Sequence, residues 1–155
     1  MRAAIITSSD SGYAKEREDK SGPVIVKMLE EAGYEIIESN ILPDEQKLLE
    51  NELIRLSDQR QVNLILTTGG TGFSERDRTP EATMTVATRL APGIAEAIRA
   101  GSMKITKRVM LSRETSVIRN KTLIVNSPGR PTAVAESLER VIDQLDHGIK
   151  ILLGR

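Results

Sequence analysis

Two aspartates, Asp44 and Asp77, and the glycine-rich run Gly69-Gly70-Thr71-Gly72 have the residue types and setting that phosphate chemistry needs. Glycines let backbone N–H groups come within hydrogen-bonding range of an anion. Carboxylates beside a phosphate repel it unless a divalent cation lies between them, so phosphate plus carboxylates predicts Mg2+. Similar residues recur in Ser8-Ser9-Asp10, Pro43-Asp44-Glu45 and Ser127-Pro128-Gly129. Each also has a plain structural reading: Ser8 to Asp10 as turn and cap chemistry, and Asp44 as the N-cap of a following helix. The glycine run alone has low specificity. It lacks the Gly-Lys-Ser/Thr of a Walker A loop and the spacing of a dinucleotide fingerprint, and HExxH, GxSxG and CxxC are absent. The one histidine, His147, reads as a helix cap or surface residue, and Met84, Met103 and Met110 as core filler.

These loops must be carried by something that brings them together. The run Val62-Asn63-Leu64-Ile65-Leu66 is continuously apolar but for one residue, as in a parallel strand covered on both faces. Further strands are expected over Arg2–Thr7 and Tyr34–Leu42. Ser116-Val117-Ile118 with Thr122 to Asn126 fits either a hairpin or two strands at the sheet's edge. Helices are expected over Ser21–Ala32, from Asp44 to about Gln61 with Leu48, Leu49, Leu53, Ile54 and Leu56 buried, and from Pro80. Others are expected over Ile94–Ala100 and from Thr132, the last interrupted at His147-Gly148. Tyr13–Lys20 reads as a surface loop. Alternating strands and helices imply a three-layer α/β/α sandwich on a mainly parallel sheet, in which the carboxyl ends of the strands share one edge.

Composition narrows the classes. With 155 residues, one domain spanning 1–155 is expected. Lys+Arg and Asp+Glu are equal at 22 each, so no net field favours nucleic acid, and 2% aromatics leave little for base stacking. The absence of cysteine removes disulfides, thiol catalysis and Cys-ligated metals. No secretory pattern and no membrane-length apolar run stand in the sequence, and a cytoplasmic location is expected.

The segment GGTGFSERDRTPEAT, Gly69–Thr83, resembles the signature of the molybdopterin-binding family of molybdenum cofactor biosynthesis. Thr7–Asp10, Leu42–Glu45, Met110–Arg113 and Ile118–Pro131 extend the likeness, in order, over almost the whole chain. The resemblance implies transfer of AMP from ATP to the terminal phosphate of molybdopterin with release of pyrophosphate, or a binding or scaffolding role in the same fold. A phosphate-binding regulator of another nucleotide is the more generic rival. The family likeness places Mg2+ and polyphosphate at Asp44 and Asp77, phosphate at Gly69, Gly70, Thr71 and Gly72, and the same pocket's walls at Asp10, Thr79, Pro80 and Glu81. It sets Ser112, Arg113, Ser127, Pro128 and Gly129 nearer the pterin. Arg76, Arg78 and Arg113 are candidates to offset phosphate charge, with solvated loop charge the alternative for the first two. Arg130 departs from the family's usual Ser or Asn, and the Ser11–Lys20 loop has no obvious family pattern. A homotrimer, or a hexamer of two trimers, is also implied, with Ile94, Ile98 and the Ile149–Leu153 tail as candidate apolar contacts.

Overall fold

Strand β1, Arg2–Ser8, lies inside a six-stranded sheet of order β2-β1-β3-β6-β5-β4. The computed structural model describes all of residues 1–155. The other strands are β2 (Glu35–Leu42), β3 (Leu64–Thr68), β4 (Arg89–Leu90), β5 (Ser116–Arg119) and β6 (Thr122–Ser127). β2, β1, β3 and β6 are mutually parallel, whereas β5 runs antiparallel to β6 and β4 antiparallel to β5. The sheet is therefore mixed. The β5–β6 pair is a hairpin around Asn120, which takes the left-handed φ of 52° that a tight turn needs. β6 is an interior strand and not an edge strand.

Period-two alternation divides the buried strand residues between two helical layers. Ala3, Ile5, Leu64, Leu66 and Val125 face α2 (Ser21–Glu31), α5 (Gly93–Ser102) and α6 (Pro131–Leu152). Ala4, Ile6, Ile65 and Ile124 face α3 (Gln46–Ile54) and α4 (Thr79–Val86). Each buried Leu or Ile contributes about 1.5–3 kcal/mol through removal from water, so the central strands anchor both layers. The remaining helix, α1 (Asp10–Tyr13), is one turn at the end of β1.

Several expectations change at the element ends. The second helix begins at Gln46, ends at Ile54 and passes into a π-helical turn, Arg55–Gln59; Leu48 is exposed on it. α6 does not break at His147-Gly148. Its apolar stripe of Val134, Leu138, Val141, Leu145 and Ile149 stays buried past that point, and burial of Ile149 outweighs the roughly 1 kcal/mol propensity cost of one helical glycine. Of the two readings of His147, the surface one holds: it is exposed within α6 and does not cap its end. Met84, Met103 and Met110 are exposed and do not fill the core. Ile98 and Ile149, expected as contact residues, are core residues 2% and 0% exposed. The Val109-Met110-Leu111 stretch belongs to a 3-10 turn, Lys107–Leu111.

Candidate functional site

The carboxyl ends of β1, β2, β3 and β6 deliver Ser8, Leu42, Thr68 and Ser127 to one edge of the sheet. The chain after β1 crosses on one face through α2 and the chain after β2 returns on the other through α3. A reversal of this kind opens a crevice beyond the strand ends. The crevice has a volume of about 670 Å³ and no hydrophobic lining residue. Ser8, Thr68, Gly69 and Gly129 line it at the strand ends, with the cations Arg17, Lys20 and Arg130 and the acids Glu18 and Asp19 around it.

The glycine run leaves β3 in left-handed backbone, φ 87° at Gly69 and 67° at Gly70. A Cβ on Gly69 would overlap the Ser8 carbonyl oxygen, and one on Gly70 would overlap Thr79 Oγ1 and come within 3.3 Å of Asp44 Oδ1. Only glycine permits this approach. The N–H groups of Gly70, Thr71 and Gly72 donate to no backbone acceptor, while Gly70 O accepts from Thr79 N (3.2 Å) and Thr71 O from Arg113 N (2.9 Å). The loop is thus held by its carbonyls and keeps its donors free, the arrangement an anion requires. Thr79, at the start of α4, is 1% exposed, and its hydroxyl has no partner. Such a buried hydroxyl is costly unless something occupies it.

Asp44 is not the helix cap. Extended Glu45 holds that position without a side-chain cap bond, and Asp44 turns back to accept from Ser8 Oγ (2.5 Å) and Asp10 N (3.1 Å). Asp10 Oδ1 reciprocates by accepting from Asp44 N at 2.9 Å. Arg76 forks onto the Asp10 carboxylate at 2.9 and 2.8 Å; these bonds, followed by the bond from the Asp44 backbone, hold the Asp10 carboxyl below its usual range. Asp77 packs against Gly72, 2.9 Å from the position a Cβ would take there, and accepts from Ser74 N at 3.0 Å. Asp44 at Gly70 and Asp77 at Gly72 thus pack against the same loop, at glycines two residues and at most about 7 Å apart.

No three acidic or histidine side chains gather into a preformed metal cage. Two separate carboxylates with free oxygen lone pairs suit a hydrated Mg2+ that is carried largely by substrate phosphates and keeps several of its waters.

The other expected residues divide into two groups. Gly129 lines the crevice, with its Cβ position 3.6 Å from Gly69 Cα. Ser127 and Pro128 are bonded internally: Ser127 Oγ donates to Thr67 O (2.5 Å) and Pro128 O accepts from Thr68 Oγ1 (2.6 Å). Ser112 and Arg113 do not join Gly129 in the crevice. Arg113 donates to Gly72 O (2.8 Å), to Asp77 O (2.7 Å) and to the Glu81 carboxylate, so its guanidinium clamps the loop and is not free to meet phosphate. Pro80 is buried in the first turn of α4.

The Ser11–Lys20 loop contributes more than the sequence indicated. Asp19 accepts from Ser21 N and Gly22 N, both at 3.1 Å, and from Thr7 Oγ1 at 2.9 Å, which caps α2 and brings Arg17 and Lys20 to the crevice. The signal was the carboxylate two residues before Ser21-Gly22-Pro23, a helix-start pattern.

Residues 4–147 match the family model described as "Probable molybdopterin binding domain". The chain is 39% identical over 156 residues to the molybdopterin adenylyltransferase of Helicobacter pylori, covering 99% of this chain and 89% of that protein. It is 39% identical to the enzyme of the same name from Escherichia coli K12 over 92% of this chain and 74% of that one. Among solved structures, the molybdopterin biosynthesis enzyme MoaB of Thermus thermophilus superposes with a TM-score of 0.92 at 39% identity, covering 99% of this chain and 97% of that one. The tungsten cofactor synthesizing protein MoaB of Pyrococcus furiosus superposes at 0.86 with 30% identity, over 97% and 96%. With the family model spanning nearly its whole length and a shared fold at this identity, the chain belongs to the molybdopterin-binding domain family.

Proposed function

We infer that this protein transfers AMP from ATP to the terminal phosphate of molybdopterin. A phosphate oxygen of the pterin attacks the α-phosphorus of ATP, a new phosphoric anhydride forms, the bond from the α-phosphorus to the bridging oxygen breaks, and pyrophosphate leaves. The observation that supports this is a glycine loop whose N–H groups bond to no backbone acceptor, packed against Asp44 at Gly70 and Asp77 at Gly72, beside a crevice lined by no hydrophobic residue. The relatives named as molybdopterin adenylyltransferases support it.

Asp44 and Asp77 are the residues that would hold Mg2+, whose part is to offset charge on the polyphosphate. The amides of Gly70, Thr71 and Gly72 would orient phosphate oxygens, and the unpartnered Thr79 hydroxyl gives one further donor at the same place. Arg76, held only by a solvent-exposed pair with Asp10, is able to turn towards phosphate; screened pairs of this kind hold weakly. No covalent enzyme intermediate is needed.

The reading includes a single domain over 1–155, a cytoplasmic setting and an oligomer of three or six chains. No helix is long and apolar enough to cross a membrane. Support for the oligomer comes from Leu90, Ile105, Met110 and Leu111, which are 52–62% exposed. A solution mass near the 17.0 kDa of one chain would refute it.

The test is to incubate the protein with ATP, Mg2+ and molybdopterin and to follow adenylylated pterin and pyrophosphate together. Asp44→Asn and Asp77→Asn should each abolish both products while leaving the folded far-ultraviolet spectrum unchanged. Full transfer in both variants overturns the mechanism. Pterin binding without pyrophosphate release from the unaltered protein would instead establish a binding role.

A further inference from the structure

At the amino-terminal edge of the same sheet, remote from the crevice by the length of β3, lies a second hollow of about 520 Å³. Its walls are the π-helical turn after α3 (Ser57, Asp58), the entry to β3 (Gln61 to Asn63), the β5–β6 turn (Asn120 to Thr122) and Leu153 at the end of α6. The volume is in the range of small-molecule sites. None of these residues takes part in the chemistry at the opposite edge.

The internal hydrogen bonds leave a surplus of donors. Asp58 is neutralised by Arg119, which donates to it at 3.1 and 2.5 Å, and by Asn120 Nδ2 at 3.2 Å; the Arg119 guanidinium is the main cause that holds its carboxyl below the usual range. Thr122 Oγ1 donates to Val62 O, and Asn63 Oδ1 accepts from Arg2 N. That bond fixes the Asn63 amide with its oxygen occupied and its NH2 unbonded. Ser57 is 7% exposed and its hydroxyl has no partner, a buried polar group in the wall of a polar hollow. Lys121 forms no ion pair. With Asp58 cancelled by Arg119, Lys121 leaves the hollow net positive. Half-buried Leu153 adds apolar surface on one side. Gln61 and Asn120 both hold left-handed backbone, φ 51° and 52°, which sets the two polar walls without a ligand present.

The geometry points to a second binding site here, for a small organic anion. Its phosphate or carboxylate group meets Lys121 Nζ, the Asn63 amide NH2 and Ser57 Oγ, and its body lies against Leu153. Charge-assisted bonds to an oxyanion from an ammonium and two neutral donors are sufficient for recognition, and the apolar side favours an anion with a ring or short chain over a bare one.

The experiment is a titration of the full-length, 15N-labelled protein with phenyl phosphate, benzoate or inorganic phosphate at millimolar concentration, followed at individual amides. Phenyl phosphate or benzoate should give saturable shifts at Lys121, Thr122 and Asn63; which of the two is tighter identifies the oxyanion, and both should exceed inorganic phosphate. Lys121→Ala should weaken binding about ten-fold, the value of one charge-assisted bond, and leave shifts at Gly69 to Gly72 unchanged. Lys121 is exposed in a turn, so the variant folds, and Ser57→Ala gives an independent second loss. No saturable shift around Lys121, shifts confined to Gly69–Gly72, or equal affinity in Lys121→Ala would each overturn the site. Because the adenylylation assay reads the opposite edge, either proposal can fail alone.

Discussion

Replacing Gly69 by alanine separates backbone strain from steric closure, because Gly33 is a built-in control. The two glycines have nearly the same left-handed φ, 87° and 88°, but a Cβ on Gly33 meets nothing within 4 Å whereas one on Gly69 overlaps the Ser8 carbonyl oxygen. Both variants incur the left-handed cost of an L-residue, roughly 1–2 kcal/mol. Gly69→Ala must also push the end of β3 away from the end of β1, an overpacking cost of about 1–3 kcal/mol. Expected losses are therefore about 1–2 kcal/mol for Gly33→Ala and about 2–5 kcal/mol for Gly69→Ala, a difference of about 1–3 kcal/mol. The chain has no tryptophan, so urea unfolding is best followed by far-ultraviolet circular dichroism, with protein concentration held equal across variants. Transfer activity should fall sharply in Gly69→Ala and persist in Gly33→Ala. Losses that agree within about 0.5 kcal/mol would refute the close approach of the loop to β1, and with it the account of how the loop is aimed.

Arg113→Lys keeps the charge but cannot reproduce the fork onto Gly72 O, Asp77 O and Glu81; transfer should fall, with a stability loss of about 1–3 kcal/mol by urea unfolding, and unchanged values in both assays would remove the clamp. Glu114 is 3% exposed with an unpartnered Oε2, and burial pushes its carboxyl up to about 7. The folded state then holds a proton that the unfolded state has already lost, so stability declines as pH rises from about 4.5 through about 7 and is level above that. Glu114→Gln should remove this slope and raise stability above neutrality by about 3 kcal/mol at most; a slope that survives in the variant would show that another group causes it.

The parts of this protein legible in its sequence are those governed by local periodicity. The buried run at β3 and the apolar stripe of α6 identify a covered parallel strand and an amphipathic helix directly. Failures occurred where a distant partner decides the outcome. Asp44 has a capping residue's position in the chain, yet Ser8 and Asp10, more than thirty residues upstream, claim its carboxylate. Arg113 reads as a free cation until the carbonyls of Gly72 and Asp77 are placed beside it. The methionines follow the same rule, since hydrophobic type does not specify whether a neighbour covers Met84 on α4, Met103 just past α5 or Met110 in the 3-10 turn. The glycine loop was identifiable because its requirement is intrinsic to its own backbone.

The order of the strands bears on how the chain matures. β1 leaves the ribosome first, but one neighbour, β3, follows about sixty residues later, as the Arg2–Asn63 contact measures, and β6 arrives about sixty residues after that. Until β3 emerges the nascent β1 is zipped only to β2, with its other hydrogen-bonding flank unclaimed and its aliphatic side chains wet. Such an intermediate is slow to resolve and sticky. Translation pauses or chaperone capture in the interval before Leu64 should therefore govern yield more than any change at the finished surface.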